Sequence, residues 1–128
     1  MNETILIIDD SQTIRRLVGH SLKALGYRIV TAEDGQQGLE MLSNERVDLV
    51  IVDLNMPVMD GLEFTREARA STLFRDLPIV MLTTESSEQD RARGLAAGVN
   101  TYLVKPVNAQ MLNYKLRALL DAKKGLEA

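Results

Sequence analysis

At 128 residues the chain fits one domain, and a domain of that size buries roughly two thirds of its unfolded surface without any stapling. It has no cysteine, which excludes disulfides, thiolate metal sites and cysteine nucleophiles, and its single histidine, His20, excludes a multi-histidine metal centre within one chain. The 15 basic and 18 acidic side chains give a net charge of −3, which argues against a dedicated nucleic-acid surface.

The opening Met1-Asn2-Glu3-Thr4 carries an acid and runs directly into a short apolar segment, unlike the basic start and long apolar stretch of a signal peptide. No apolar run approaches the ~20 residues that span a bilayer. A soluble cytoplasmic protein with no membrane contact is therefore expected.

Thr4 to Ile8 is an apolar run closed by Asp9 and Asp10, and it reads as a first buried strand. Ser11 is an N-cap for a helix whose Ile14, Leu17, Val18, Leu22 and Leu25 recur at helical spacing, ended by Gly26. Tyr27 to Ala32 is a second strand. Asp34 and Gln37 form a capping pattern for a helix through Leu42.

In the Val47 to Asp53 stretch both side-chain parities are apolar, the pattern of a strand buried on both faces of a parallel sheet, and it ends in an aspartate. Pro57 and Asp60-Gly61 then turn the chain, and Asp60 with Glu63 repeats the capping pattern for a third helix, from about Leu62 to Ala70, whose apolar stripe is weak. Pro78 to Leu82 is a fourth strand ending in Thr83 and Thr84. Ser87 with Asp90 caps a fourth helix containing Ala92, Leu95 and Ala96 as small core-facing residues, closed by Gly98. Thr101 to Val104 is a fifth strand stopped by Lys105-Pro106. Asn108 caps a final helix with a stripe of Met111, Leu112, Leu116, Leu119 and Leu120, followed by a short polar tail.

Five strands alternating with five helices imply one α/β domain with a parallel sheet covered on both faces, and no second or output domain. In such a sheet the carboxyl ends of all strands lie on one edge, where open α/β folds place their ligands. Asp9, Asp10, Asp53, Thr83 and Lys105 therefore converge there. Three clustered carboxylates repel one another unless a cation joins them, and a hard divalent ion such as magnesium suits oxygen donors. A carboxylate nucleophile, a metal, a lysine for a phosphoryl oxygen and a hydroxyl donor together describe acyl-phosphate formation.

The motifs Asp9-Asp10-Ser11, Asp53, Met56-Pro57-Val58-Met59-Asp60-Gly61, Thr83, Tyr102 and Lys105-Pro106, in that order, resemble the receiver domains of two-component response regulators, and among these the single-domain, CheY-like chemotaxis regulators. The resemblance covers essentially the whole chain. It implies a flavodoxin-like doubly wound sheet of order 2-1-3-4-5, an order taken over from that fold, for which CheY is a standing example. It implies that Asp53 accepts a phosphoryl group from a sensor histidine kinase. Asp10, Asp53 and the Asn55 backbone carbonyl would hold Mg2+, with Asp9 acting through water and Lys105 touching the phosphoryl group. The Lys105-Pro106 bond would be cis.

Thr83 and Tyr102 are implied as switch residues, and Asn55 and Glu85 as residues that tune phosphate lifetime. Thr84 departs from the small residue usual after the switch threonine, and Val107 from the usual aromatic after Lys-Pro. The implied output is a monomer that catalyses its own phosphorylation and dephosphorylation. It would signal through the face of the fourth helix, fifth strand and fifth helix to a flagellar motor switch or phosphatase, or else serve as a phosphorelay intermediate.

Blander readings exist for each residue: Asp9 and Asp10 as helix caps, Asp53 as a turn residue, Lys105 as a solvated side chain, Tyr102 as a half-buried strand residue. His20 reads as a solvent-facing helix residue, and Met56 and Met59 as loop packing. A flavin-binding electron carrier of the same fold would want a Ser/Thr/Gly-rich phosphate loop where Asp9-Asp10 stands. A magnesium phosphohydrolase would want a carboxylate at Asn55. A degenerate receiver acting only as an interaction module would lack catalytic residue types that are all present.

Overall fold

The computed structural model describes residues 3–84 and 87–127, and Glu85 lies outside them. Within them β1 (Thr4–Ile8), α1 (Gln12–Ala24), β2 (Arg28–Ala32), α2 (Gly35–Asn44), β3 (Leu49–Asp53), α3 (Gly61–Ala70), β4 (Ile79–Thr83), α4 (Glu88–Ala97), β5 (Thr101–Val104) and α5 (Ala109–Glu127) follow in strict alternation. All strand pairings are parallel and the order is β2-β1-β3-β4-β5, so the flavodoxin-like architecture is as expected. No helix among the described residues is long and apolar enough to cross a membrane.

The two-fold repeat of each strand divides the core. Leu6, Ile8, Val50, Val52, Ile79 and Met81 point to one face, where Leu42 of α2, Leu62, Phe64 and Ala68 of α3 and Ala97 of α4 cover them. Ile5, Ile7, Leu49, Ile51, Val80 and Leu82 point to the other, under Val18 and Leu22 of α1 and Leu112, Leu116 and Leu120 of α5. Every residue of β1, β3 and β4 is buried, which is why both parities of those segments are apolar. β5 is an edge strand and none of its residues is fully buried.

Helix starts follow their caps. Ser11, Asp34, Asp60 and Ser87 each accept a hydrogen bond from the amide three residues on. Asn108 does the same for α5 through the amides of Gln110 and Met111. Gln37 reaches back to the amide of Glu33 and not of Asp34, so the capping pair is offset by one residue. Gly26 (φ 100°) and Gly98 (φ 117°) take the left-handed conformation that ends α1 and α4.

Three expectations change. In α4 the residues facing the core are Gly94 and Ala97, while Ala92, Leu95 and Ala96 are exposed. Only side chains this small let the helix approach Met81 and Val99. Leu17, Leu25 and Met111, placed in apolar stripes by spacing, are about half exposed or more because the contact face of each helix is narrower than the stripe. The polar tail after Leu120 is the last turns of α5, tied down by Lys124 and Arg117 through Glu3.

α2 crosses β1 at Gly38, where a Cβ would overlap Ile8 Cδ1 and come within 3.1 Å of Phe64 Cε1. Helix propensity alone favours alanine there by about 1 kcal/mol. Overpacking opposes it, so Gly38→Ala is expected to lower stability by about 1–3 kcal/mol in urea unfolding. A stabilised variant would contradict the close approach of α2.

Candidate functional site

The carboxyl edge of the sheet gathers the groups that the sequence placed there. Asp53 ends β3, Thr83 ends β4, Asp9 and Asp10 follow β1, and Lys105 follows β5. Carboxylate oxygens of Asp9, Asp10 and Asp53 lie within 4.8 Å of one another. Asp9 and Asp53 are buried, and Asp10 is exposed. Thr83 is 2% exposed, and its carbonyl accepts from the Lys105 amide at 2.7 Å, which fixes where the lysine leaves the sheet.

The Lys105 side chain occupies the site and not its rim. Its Nζ donates to Asp9 Oδ2 at 3.0 Å and to Asp53 Oδ1 at 3.2 Å. The lysine that the sequence assigned to a phosphoryl oxygen thus also offsets the repulsion that was assigned to a metal alone. Burial opposes the charge on Lys105, but the Asp9 hydrogen bond and the charges of Asp53 and Asp9 outweigh it and hold the ammonium above the ordinary lysine range. At Asp53, burial pushes the carboxyl up, the Asp9 charge adds to this, and Lys105 draws it only part of the way back, to about 6.

The loop after β3 is shaped by backbone contacts. A Cβ on Gly61 would strike the Asp53 carbonyl oxygen, so only glycine lets α3 begin against the residue that ends β3. The Gly61 amide also donates to the Leu54 carbonyl at 3.0 Å. Met59 N donates to Pro57 O at 2.7 Å across Val58, whose φ of 69° is costly for a β-branched residue. Gly35 N in turn donates to Met59 O at 3.1 Å and binds this loop to the start of α2. An open cleft of about 340 Å3 is lined by Asp10, Asn55, Met56, Pro57 and Asp60, and Asn55 is exposed within it.

Tyr102 is half-buried on β5, opposite Met81, with the Arg91 guanidinium of α4 5.2 Å from its ring centroid. Thr84 is exposed beside Thr83, while Val107 packs against the cluster under α1 and α5. His20 is exposed on α1, and Met56 and Met59 pack against the α2–α4 side of the core. Glu85 lies outside the described residues. Arg15, whose Nη1 donates to the Asp9 carbonyl at 2.7 Å, was not anticipated; a polar residue one turn inside a helix carries no signal of that contact in the sequence.

The donor set fits magnesium: three hard carboxylates converge within reach of a single ion, with an open cleft on the Asp10 side.

The raised Asp53 carboxyl gives a pH test. An aspartate that keeps its proton to higher pH when folded costs the native state stability as pH rises from about 4 to 6, and the cost then stays constant. Without divalent cations, Asp53→Asn is expected to match the parent near pH 4 and to exceed it by roughly 1–3 kcal/mol near pH 8 in urea unfolding. No gain at pH 8 would contradict the buried, acid-flanked setting of Asp53.

Comparison with known proteins bears on the whole chain. A family model described as response regulator receiver domain matches residues 5–117. The chain is 41% identical over 123 residues to a chemotaxis protein CheY homolog of Campylobacter jejuni, covering 94% of this chain and 95% of that protein. Among solved structures, chemotaxis protein CheY4 of Vibrio cholerae superposes with a TM-score of 0.89 at 39% identity, covering 93% of this chain and 99% of that one. The receiver domain of sensor histidine kinase PA1611 from Pseudomonas aeruginosa, described with a magnesium ion coordinated in its active site cleft, gives 0.88 at 33%, covering 94% and 99%. A family match running through nearly every element, and relatives similar over more than nine tenths of the chain, lead to one assignment: the chain belongs to the response regulator receiver domain family.

Proposed function

We propose that this chain is a phosphorylation-driven switch of a two-component system, in which Asp53 accepts a phosphoryl group from the phosphohistidine of a sensor histidine kinase. The observation that carries this reading is the contact of Lys105 Nζ with Asp53 inside a cluster of three carboxylates. A carboxylate oxygen of Asp53 forms the new O–P bond while the P–N bond breaks, and its electron pair returns to the imidazole nitrogen. The rigid, fully buried β3 holds the nucleophile in place, and Lys105 can turn from Asp53 to a phosphoryl oxygen with little movement of its stem.

Asp10, Asp53 and the Asn55 backbone carbonyl would hold magnesium, with Asp9 contributing through water. When bound, the ion neutralises charge on the carboxylates and the phosphoryl oxygens. The CheY-like relatives and the magnesium-containing receiver neighbour support this reading. The acidic edge disfavours a flavin phosphate, and Asn55 stands where a phosphohydrolase would need a second carboxylate.

Phosphorylation biases a pre-existing equilibrium. Thr83 turns toward the phosphoryl group and Tyr102 moves inward, away from Arg91. Leu95, Val104 and Met111 already expose apolar surface on α4, β5 and α5, which suits a downstream protein partner. The similarity to chemotaxis regulators favours a role in the cytoplasm within a motility pathway, with a flagellar motor switch or phosphatase as partner. Asn55 and Glu85 tune the lifetime of the phosphoryl group, and exposed Thr84 adds bulk at the rim.

Incubation with acetyl phosphate and magnesium tests the reading by intact mass. The parent is expected to gain one phosphoryl group, Asp53→Asn none, and Lys105→Met far less than the parent. An unlabelled parent, or equal labelling of parent and Asp53→Asn, would sink the proposal.

A further inference from the structure

Arg15 stands one turn past the Ser11 cap of α1, with 13% of its side chain exposed. A guanidinium next to a group of carboxylates would ordinarily pair with one of them. Arg15 instead donates from Nη1 to the Asp9 carbonyl oxygen at 2.7 Å, and its Nη2 lies 3.7 Å from Glu33 Oε1 at the end of β2. Among the described residues it makes no ion pair with Asp9, Asp10 or Asp53, and it grips the backbone between the first two.

Asp9 is held at each of its polar atoms. Its amide donates to Ala32 O at 3.1 Å, its Oδ1 accepts from Ser11 N at 2.9 Å, its Oδ2 accepts from Lys105, and its carbonyl accepts from Arg15. Asp10 is different. It is exposed, and among the described residues its carboxylate makes no hydrogen bond or ion pair, so only its backbone determines where it points. The peptide that enters Asp10 is the one whose carbonyl Arg15 holds.

We infer that Arg15 is a positioning residue for Asp10: by fixing the Asp9–Asp10 peptide it aims the exposed carboxylate into the group formed with Asp9 and Asp53. The inference rests on reading that group as a magnesium site. It makes a prediction opposite in sign to simple electrostatics. Deleting a cation near a cation site should tighten binding by Coulomb attraction alone. Deleting a positioning residue should weaken it, by about 10–100-fold for outer contacts of this kind.

The test is magnesium titration of the full chain by calorimetry, with thermal unfolding in chelator recorded for each variant. Arg15→Met is expected to bind magnesium about 10–100-fold more weakly. Arg16→Met, which removes an exposed charge one residue along the same helix, should bind no more weakly than the parent. Arg15→Lys, which keeps one donor for the Asp9 carbonyl, should recover part of the loss. A folded Arg15→Met that binds within about twofold of the parent, or more tightly, overturns the inference.

If Arg15→Met does not fold, Arg15→Gln, too short to reach the carbonyl, decides by the same criterion. Failure of both to fold would overturn it in favour of a purely structural role. A parent that does not bind magnesium removes the metal reading and this inference together, whereas a binding parent matched by Arg15→Met removes the inference alone.

Discussion

Three carboxylates within 4.8 Å of one another, two of them buried, set the terms for everything else at the carboxyl edge. Left alone they would repel strongly in a medium far less screening than water. The Lys105 ammonium offsets that cost by bonding to both buried members. It balances the cluster only in part, because Asp53 remains hard to ionise and, among the described residues, no cation pairs with the Asp10 carboxylate. The edge is therefore poised: stable enough to assemble on its own, yet with unmet negative charge that a divalent ion would satisfy.

That arrangement requires backbone precision, and the surrounding loops supply it. α3 begins in van der Waals contact with the end of β3 at Gly61, and the start of α2 is tied to Met59 through Gly35. The unfavourable φ of Val58 is tolerated between these two attachments. A change at Asp53 therefore has short mechanical routes into two helices. Its third route is β4, which carries Thr83 between β3 and the strand that bears Tyr102.

Much of this was legible in the residues. The apolar runs marked all five strands to within a residue or two, because buried parallel strands tolerate little else. The caps Ser11, Asp34, Asp60 and Ser87 marked helix starts through a local hydrogen bond that needs no tertiary context. Strand order came from the family resemblance and not from any pattern in the chain. The contact face of α4 was misplaced, because Gly94 and Ala97 face the sheet for their lack of bulk and hydrophobic spacing does not register that. The convergence of Asp9, Asp10, Asp53 and Lys105 followed from topology alone. The division of labour among them, with Lys105 on Asp9 and Arg15 on the peptide behind it, depends on side-chain reach that sequence spacing does not encode.

The opposite edge of the sheet has a different character. There Glu3 is flanked by Arg117 at 3.0 Å and Lys124 at 3.2 Å, and Tyr27 donates to Asn113 beside them at 2.7 Å. Burial works against the Glu3 charge, but the hydrogen bonds from Arg117, its own backbone and Lys124 prevail and hold its carboxyl at about 2. Acid therefore acts on the two ends in opposite directions. Mild acidification relieves the edge at Asp53, while the clasp at Glu3 starts to loosen only below the ordinary glutamate range and persists until its own low value is reached. In the metal-free protein these two ends together contribute most in mild acid, where one has shed its repulsion and the other still keeps its attraction.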